Sequence, residues 1–182
     1  MAEDALQSRL SHLEELGEAT QFAAQIHSLI TYSALFENFN VAEIRLMSHF
    51  MRVYRAEIGV EVIREGDPGD YMMLLLEGRI EVLKRDRWNA PRLIAVLDPG
   101  ATVGEMSMID GEPRFATCAA ADRCLLAVLS RESLARIILE QPVLGAKILM
   151  ELVLMLSQRL RQTSQKLVTY MDREREQGEG SP

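Results

Sequence analysis

Cysteine, long apolar runs and basic charge are all scarce in this sequence of 182 residues. The two cysteines, Cys118 and Cys124, are too few for a disulfide framework and lack the spacing of a zinc site, so we expect reduced thiols. No run of about 18 apolar residues could span a bilayer, and the first residues lack the basic and apolar regions of a signal peptide. These absences exclude a disulfide-rich secreted domain and a membrane protein, and we expect a cytoplasmic protein.

Acidic residues outnumber basic ones, with 27 Asp and Glu against 20 Lys and Arg and a formal net charge of −7. A protein that binds nucleic acid unaided needs clustered Lys and Arg to neutralise phosphates, and no basic stripe is present. The composition is otherwise that of an ordinary globular domain, 48% hydrophobic and 26% charged. The length suits one domain with helical attachments better than two full domains.

Residues that commonly carry catalysis or bind metals are also few. The three histidines, His12, His27 and His49, lie near the N-terminus without carboxylates clustered at metal spacing. The sequence contains neither a nucleophile elbow nor a Walker loop. We therefore expect no metal site and no enzymatic activity.

Hydrophobic spacing divides the chain into three parts. In the first forty residues apolar side chains recur every three or four positions, which predicts helices separated at Gly17, and Asn40 is expected to cap the next helix. From Met51 short β-rich runs alternate with Gly, Pro and Asp turns. They predict eight strands, at 52–56, 60–64, 71–76, 79–84, 92–97, 101–103, 115–120 and 124–129. After the N-cap Ser130 the pattern returns to helix, and Pro142 is expected to begin a long second helix.

These patterns predict a mainly β protein with flanking helices: an eight-stranded antiparallel jelly-roll β-barrel with N-terminal helices and a long C-terminal helix. The expected boundaries are a helical lead-in at 1–50, the barrel at 51–130, hinge and dimerisation helices at 131–172, and a disordered tail at 173–182. Metal-binding cupins have a similar double-stranded barrel, but they need histidines on the strands, and the predicted strands have none.

The long helix carries a repeat that is typical of coiled coils. Its seam alternates steps of four and three over three heptads, at Leu149, Val153, Leu156, Leu160, Thr163, Leu167 and Tyr170. A spacing of about 3.5 residues favours a partner helix. We therefore expect a homodimer formed through this helix.

One segment combines residues suited to a phosphate and a sugar. Gly104 and Glu105 follow the predicted strand 101–103 and open a one-turn helix, whose first backbone N–H groups carry partial positive charge and favour an anion. Nine residues after Glu105, Arg114 offers a planar fork of donors for two oxygens of one phosphate. Glu105 supplies the complement, an acceptor for a sugar hydroxyl.

Residues 103–117 resemble the phosphate-binding cassette of the cyclic-nucleotide-binding family, in which Gly-Glu is followed at about this distance by Arg, a small residue and Ala. The resemblance implies that Glu105 holds the ribose 2′-hydroxyl. It also implies that Arg114 holds the cyclic phosphate, helped by the N–H groups of Met106 and Ala116. The turns at 66–70, 76–79 and 99–100 are similar to those of the same family, and the likeness extends over residues 35–171.

The resemblance places Val82 and Ile94 against the apolar face of the purine. Phe115 is the main departure from the family's cassette, because the family usually has Ala, Ser or Thr at this position. A phenyl group that points into the pocket costs about 1–3 kcal/mol by overpacking. One that lies along the purine stacks on it, which is worth about 1–3 kcal/mol. Cyclic-GMP binders of the family use a hydroxyl at this position, which Phe115 lacks, so cyclic AMP is the expected ligand and cyclic GMP is less favoured.

Residues 159–167 resemble the dimerisation helix of bacterial catabolite activators, in which a Thr-Ser pair meets adenine across the dimer. The resemblance implies this role for Thr163 and Ser164. The alternative is that Thr163 only sets the register of the coiled coil, as buried polar residues can. The spacing from Pro142 to Thr163 is one helical turn longer than in those activators.

Two functions follow from these observations. The first is a stand-alone cyclic-nucleotide-binding regulatory module that signals to an unknown downstream protein by rearranging its C-terminal helices. The second is a degenerate barrel, retained as an oligomerisation or interaction module with Phe115 filling its pocket. Direct DNA binding is not expected, because the residues after the long helix are too few and too acidic for a helix-turn-helix. The acidic segment up to Glu18 either docks on the barrel or binds a partner.

Overall fold

The computed structural model describes residues 2–29, 32–33, 35 and 38–179, with side chains for those from 6 to 172. Its helices are α1 (Ala2–Arg9), a 3₁₀ turn (Ala19–Phe22), α2 (Ala23–Ser28), α3 (Val41–Ser48), α4 (Glu105–Asp110), α5 (Arg131–Glu140) and α6 (Pro142–Glu179). Its strands are β1 (Glu14–Glu18), β2 (Arg52–Ala56), β3 (Glu61–Ile63), β4 (Tyr71–Glu77), β5 (Ile80–Arg85), β6 (Pro91–Leu97), β7 (Thr102–Val103), β8 (Thr117–Ala120) and β9 (Cys124–Ser130). All eight strands expected from the sequence are present, with ends shifted by at most two residues.

Two antiparallel sheets form the β part of the molecule. One has five strands in the order β1-β2-β9-β4-β7, and the other has four in the order β3-β8-β5-β6. The mainly β architecture with flanking helices is confirmed. The closed eight-stranded barrel is not, because the described residues form nine strands and no strand of one sheet is hydrogen-bonded to a strand of the other.

Strand β4 separates two hydrophobic cores. On one face Met72, Leu74 and Leu76 pack with the helices, and on the other Met73 and Leu75 pack between the sheets. Side chains of a strand alternate between the two faces of a sheet, so a strand that is covered on both faces needs apolar residues at every position. This explains why the strand reads as a continuous apolar run.

The N-terminal segment differs from the expected pair of helices. Residues 14–18 form β1, which pairs with β2 and shifts register near Gly17, where φ is +104°. Leu10 and Leu13 are buried in the core between the sheets. The carboxylates of Glu14 and Glu15 each pair with an arginine of β2 at 2.8 Å. The helix prediction was wrong here, because cross-strand pairing and burial outweigh a local helical periodicity.

The expected N-caps of α3 and α5 are confirmed. Asn40 Oδ1 accepts from the backbone N–H of Glu43, whose carboxylate accepts from the N–H of Asn40. Ser130 Oγ accepts from the N–H of Ser133. The two caps satisfy backbone donors that the first turn of a helix leaves without partners.

Helix α6 packs on the domain through its first half only. Four of its apolar side chains are buried in the core beneath the helices: Leu144, Ile148, Leu152 and Met155. Every side chain from 160 to 172 is exposed. The helix runs to Glu179 rather than ending at 172, because Glu, Arg and Gln favour helix and no Gly or Pro occurs from 173 to 177. Residues 180–182 of the expected tail lie outside the described residues.

None of the described helices combines the length and the apolar content that a membrane crossing requires.

Candidate functional site

Gly104 connects β7 to helix α4 and makes room for Arg114. Its φ of +81° lies in the left-handed region that favours glycine. A Cβ at this position would lie 2.5 Å from Nη1 of Arg114 and 3.0 Å from the carbonyl oxygen of Tyr71. The short helix expected at Glu105 is present, and Gly104 is its N-cap. Any other residue at position 104 would be strained.

Arg114 is buried, with 3% of its surface exposed. Its Nη1 donates to the carbonyl oxygen of Gly104 at 2.8 Å, and its guanidinium carbon lies 4.2 Å from the centre of the Tyr71 ring. Burial raises the pKa of Tyr71 despite the nearby charge of Arg114, so the ring stays neutral. The Nη2 atom of Arg114 is buried and has no hydrogen-bond partner among the described residues. A buried donor of this kind is available to an anion.

A second glycine shapes the space around the guanidinium. A Cβ at Gly69 would lie 2.2 Å from Nε of Arg114, so any side chain here would displace the arginine. The neighbouring turn also holds the Arg114 backbone, because its N–H donates to the Asp67 carbonyl at 2.8 Å and its carbonyl accepts from the Gly66 N–H at 2.9 Å. The turn at 66–70 therefore positions the cassette arginine.

Glu105, at the start of α4, is a buried carboxylate with one oxygen in use. Its Oε1 accepts from Nη1 of Arg159 on α6, whereas its Oε2 is buried and has no hydrogen-bond partner among the described residues. The pKa of Glu105 is raised, chiefly by burial, and the charges of Arg159 and Arg114 oppose this rise. Arg159 also donates from Nη2 to the carbonyl oxygen of Thr102 at 2.9 Å.

Phe115 lies against Lys84 rather than in an enclosed cavity. Its side chain is 56% exposed, and its ring centre is 4.4 Å from the Lys84 Nζ. The same Nζ donates to the carbonyl oxygen of Phe115 and to Oε1 of Glu65, both at 2.7 Å. Ala116 is buried, and Met106 is about half exposed. In this structure the phenyl ring is therefore not a buried plug.

The two residues expected to face the purine lie on adjacent strands of the four-stranded sheet. Val82 on β5 is half-buried, and Ile94 on β6 is half-exposed. The register of the strand pair shifts next to Val82, so Ile94 lies in a bulge. Cys118 on β8 lies opposite Val82, and burial raises its pKa to about 12, which keeps the thiol protonated.

Thr163 and Ser164 are not brought to the cassette within one chain. Both are exposed on α6, beyond Arg159, which is the last residue of that helix with a described hydrogen bond to the β domain. The expected contact of these residues with adenine involves a second copy and stays a prediction.

A cavity of about 630 Å³ lies beside Arg114, but the expected purine-binding residues do not line it. Its walls include Arg9, His12, Arg64 and Tyr71. Arg114 belongs to this lining, whereas Ile94 and Phe115 are half-exposed and lie outside it. No group of three or more His, Cys, Asp or Glu residues able to hold a metal ion occurs in the described part of the chain.

Three residues that contact the predicted site were not expected from the sequence: Arg159, Lys84 and Gly69. Arg159 is 54 residues from Glu105, and no spacing rule connects them. Gly69 belongs to a turn that the sequence identified, but its close approach to Arg114 depends on the fold. Lys84 is two residues after Val82 on the same strand, and residues two apart on a strand point to the same face of the sheet. This spacing was the available signal that Lys84 lies near the expected purine-binding side.

The two-sheet fold, with a short helix opened by Gly-Glu between β7 and β8, is that of a cyclic nucleotide-binding domain. The model of the family described as "Cyclic nucleotide-binding domain" matches residues 54–141. A crystallised cyclic nucleotide-binding domain from Methylobacillus flagellatus KT is 36% identical with a TM-score of 0.80, and the match covers 88% of this chain and 90% of that chain. The chain belongs to the cyclic nucleotide-binding domain family.

Two curated relatives are a kinase regulatory subunit and a receptor protein, both named for cyclic AMP. The cAMP-dependent protein kinase regulatory subunit of Eremothecium gossypii is 35% identical over 81 residues, which are 44% of this chain and 17% of the relative. The cyclic AMP receptor protein of Thermus thermophilus is 29% identical over 136 residues, which are 74% of this chain and 61% of the relative. The chain thus spans less than two thirds of each of these relatives.

The raised pKa of Glu105 predicts how stability depends on pH. The folded state holds this proton more tightly than the unfolded state, so ionisation lowers the free energy of unfolding as the pH rises above the ordinary value of 4.5. In urea unfolding, the stability of the wild type relative to Glu105→Gln should therefore be greatest below pH 4.5 and should fall as the pH rises from there through the raised pKa of Glu105.

Glu112→Gln, which removes an exposed carboxylate from the same segment, controls for net charge. A stability difference between wild type and Glu105→Gln that does not change with pH, or that moves the other way, would contradict the assignment.

Proposed function

We propose that this chain is a cytoplasmic regulatory module that binds cyclic AMP and has no enzymatic activity of its own. It dimerises through α6 and signals to a partner protein by rearranging its C-terminal helices. The observation that supports this most directly is a pair of buried atoms, the Nη2 donor of Arg114 and the Oε2 acceptor of Glu105, neither of which has a hydrogen-bond partner in the part of the chain that the structure describes. One suits a phosphate oxygen and the other a sugar hydroxyl.

In the proposed complex Arg114 binds the cyclic phosphate and Glu105 accepts the ribose 2′-hydroxyl. The backbone N–H groups of Met106 and Ala116 provide further donors to the phosphate, as the family resemblance implies. A buried donor or acceptor that gains a hydrogen-bond partner recovers part of the desolvation cost of its burial, so both contacts favour the bound state.

The purine of the ligand lies over Val82 and Ile94 in this proposal, and Thr163 and Ser164 reach it from the second copy. The half-exposed Ile94 leaves apolar surface for a ligand to cover. Cyclic AMP is preferred to cyclic GMP, because Phe115 has no hydroxyl to bind guanine. Both curated relatives described above carry cyclic AMP in their names.

Contacts between α4 and α5 support a route for the signal. The Nε of Arg131, the first residue of α5, donates to the carbonyl oxygen of Met108 at 2.6 Å, and its Nη2 donates to that of Ser107 at 2.7 Å. The last turn of α4 is therefore attached to α5. A ligand that favours one position of α4 therefore also favours the positions of α5 and α6 that go with it. The size of this shift cannot exceed the difference in the ligand's affinity for the two helix arrangements.

The exposed apolar side chains of α6 support a dimer. Several of its expected seam positions are exposed apolar side chains: Leu149, Val153, Leu160, Leu167 and Tyr170. An apolar helix face in water is unfavourable, and a second copy of the same helix would cover it. The negative charge of the chain argues for a protein rather than DNA as the downstream partner.

Cyclic AMP binding should depend on Arg114. A hydrogen bond to a charged group contributes about 1.5–3 kcal/mol, so Arg114→Ala should weaken binding about tenfold to a hundredfold in isothermal titration calorimetry. Arg64→Ala, which removes an exposed arginine close by, should bind like the wild type. Equal affinities for all three proteins would contradict the role of Arg114.

Phe115→Ala distinguishes the proposal from the degenerate module. The half-exposed ring does not plug the site, so this variant should bind cyclic AMP within about tenfold of the wild type. If only the variant binds cyclic AMP, Phe115 blocks the pocket and the chain is an interaction module without a nucleotide.

Light scattering after size exclusion should give the wild type a mass of twice the 20.5 kDa of the chain. Leu160→Asp combined with Leu167→Asp places charges on the seam and should yield a monomer. Arg161→Asp combined with Gln165→Asp alters exposed positions off the seam and should leave the dimer intact. Equal masses for both double variants would exclude this dimer interface.

A further inference from the structure

We propose that the hairpin of β5 and β6 is a membrane-docking surface, which binds a bilayer rich in anionic lipid through Trp88 at its tip and through Arg85 and Arg87 beside it. The inference goes beyond the proposed function, because these three residues lie outside the phosphate cassette and the contact needs no cyclic nucleotide. A contact of this kind lies on the bilayer surface and requires no membrane-spanning helix.

Basic charge is concentrated on this hairpin in a chain that is acidic as a whole. Residues 84–92 contain four basic side chains and one acidic side chain, Asp86, whereas the chain has a formal net charge of −7. Neither the Arg85 nor the Arg87 guanidinium forms an ion pair with a carboxylate in the described part of the chain. Both are therefore available to an external anion.

The tip of the hairpin carries the only tryptophan of the sequence, Trp88. Its side chain is 68% exposed, and the guanidinium carbon of Arg87 lies 3.9 Å from the centre of its ring. Tryptophan favours the boundary between water and bilayer, because its ring is largely apolar and its N–H is polar. The stacked pair thus offers an apolar ring to the acyl region and a cation to the lipid phosphates.

The turn that presents Trp88 is ordered by the Asp86 side chain. Its Oδ1 accepts from the backbone N–H of Trp88 at 2.9 Å and from that of Ala90 at 3.0 Å. Asn89 takes the left-handed φ of +65° that closes the turn. Because the turn is held by these bonds before any partner arrives, docking loses little conformational entropy.

An apolar face continues from the tip along the hairpin, on the side turned away from the predicted purine contacts. Leu83 and Leu93 lie opposite each other on the two strands, and Leu93 is 55% exposed. They share the face opposite to Val82, which packs between the sheets. Arg85, two residues after Leu83, lies on the same face. A bilayer in contact with the tip can therefore cover leucine and arginine side chains together.

The shape of the tip favours a bilayer over an acidic protein. Residues 87–89 are all exposed, so the surface is convex and offers a peptide no groove. A fluid bilayer needs no groove, because it closes around a projecting ring while lipid phosphates meet the arginines. The fields of exposed charges fall off within about 8 Å at physiological salt, so the acidic remainder of the chain opposes this contact only weakly.

The single tryptophan gives a direct test on the full chain. Vesicles of equal parts phosphatidylcholine and phosphatidylglycerol should shift the emission of Trp88 to shorter wavelengths, because the ring leaves water, and vesicles of phosphatidylcholine alone should not. Raising sodium chloride from about 0.1 M to about 1 M shortens the Debye length from about 10 Å to about 3 Å and should reverse most of the shift.

Variants separate the charge from the ring in sedimentation with the anionic vesicles. Each basic residue near an anionic surface contributes about a factor of five, so Arg85→Glu combined with Arg87→Glu should weaken binding at least tenfold. Trp88→Ala should weaken binding about fivefold through the loss of buried apolar area. Trp88→Ala changes no charge, so it keeps the test decisive if the double variant melts at a lower temperature than the wild type.

Two control variants match these changes elsewhere on the surface. Arg123→Glu combined with Arg161→Glu alters the net charge equally at exposed positions, and Leu139→Ala removes an apolar side chain that is 81% exposed. Both should bind the anionic vesicles like the wild type.

Three results would overturn the proposal: equal binding to neutral and anionic vesicles, no binding to either, or equal losses in the hairpin and control variants. Poly-glutamate tests the other class of partner. An emission shift with poly-glutamate as large as that with anionic vesicles would assign the hairpin to an acidic protein and overturn the membrane contact.

Discussion

The packing of Arg114 against Gly104 is the contact on which the site depends. A guanidinium can lie beside the first turn of α4 only because residues 69 and 104 have no side chain, and the left-handed φ of Gly104 also sets the direction of that helix. The same contact buries an arginine and brings its charge near a buried carboxylate. The end of β7, the start of α4 and the charges of Arg114 and Glu105 therefore form one unit. A change at one of these residues alters the position of the others.

This unit lies where the β scaffold meets the helices. Strand β4 is covered on both faces, by helices on one and by the second sheet on the other, so β7 at its edge is held on a rigid base. From there Arg131 attaches α4 to α5, and Arg159 attaches Glu105 to α6. These hydrogen bonds add directional contacts to the apolar core that α4, α5 and α6 share with one face of the five-stranded sheet. The proposed output through helix position would act on these contacts.

Local sequence patterns predicted most of the strands and the helix caps, because turn residues and caps act over a few neighbouring positions. They also identified Gly104, Glu105 and Arg114, since that motif is continuous in sequence. They failed at residues 14–18, where leucine spacing indicated a helix and the chain instead pairs with β2. Edge strands of this kind depend on a partner 37 residues away in the Arg52–Glu15 pair, and no local pattern records it.

The sequence by itself determined the family, the two-part layout of β domain and long helix, and the residue types of the cassette. Only the tertiary structure decided that Glu105 is paired with Arg159, that Phe115 lies on Lys84, and that the nine strands of the described residues form two sheets. The reason is physical. Turns, caps and periodicity are short-range properties of the chain, whereas burial, ion pairing and sheet order arise from residues that meet only after folding.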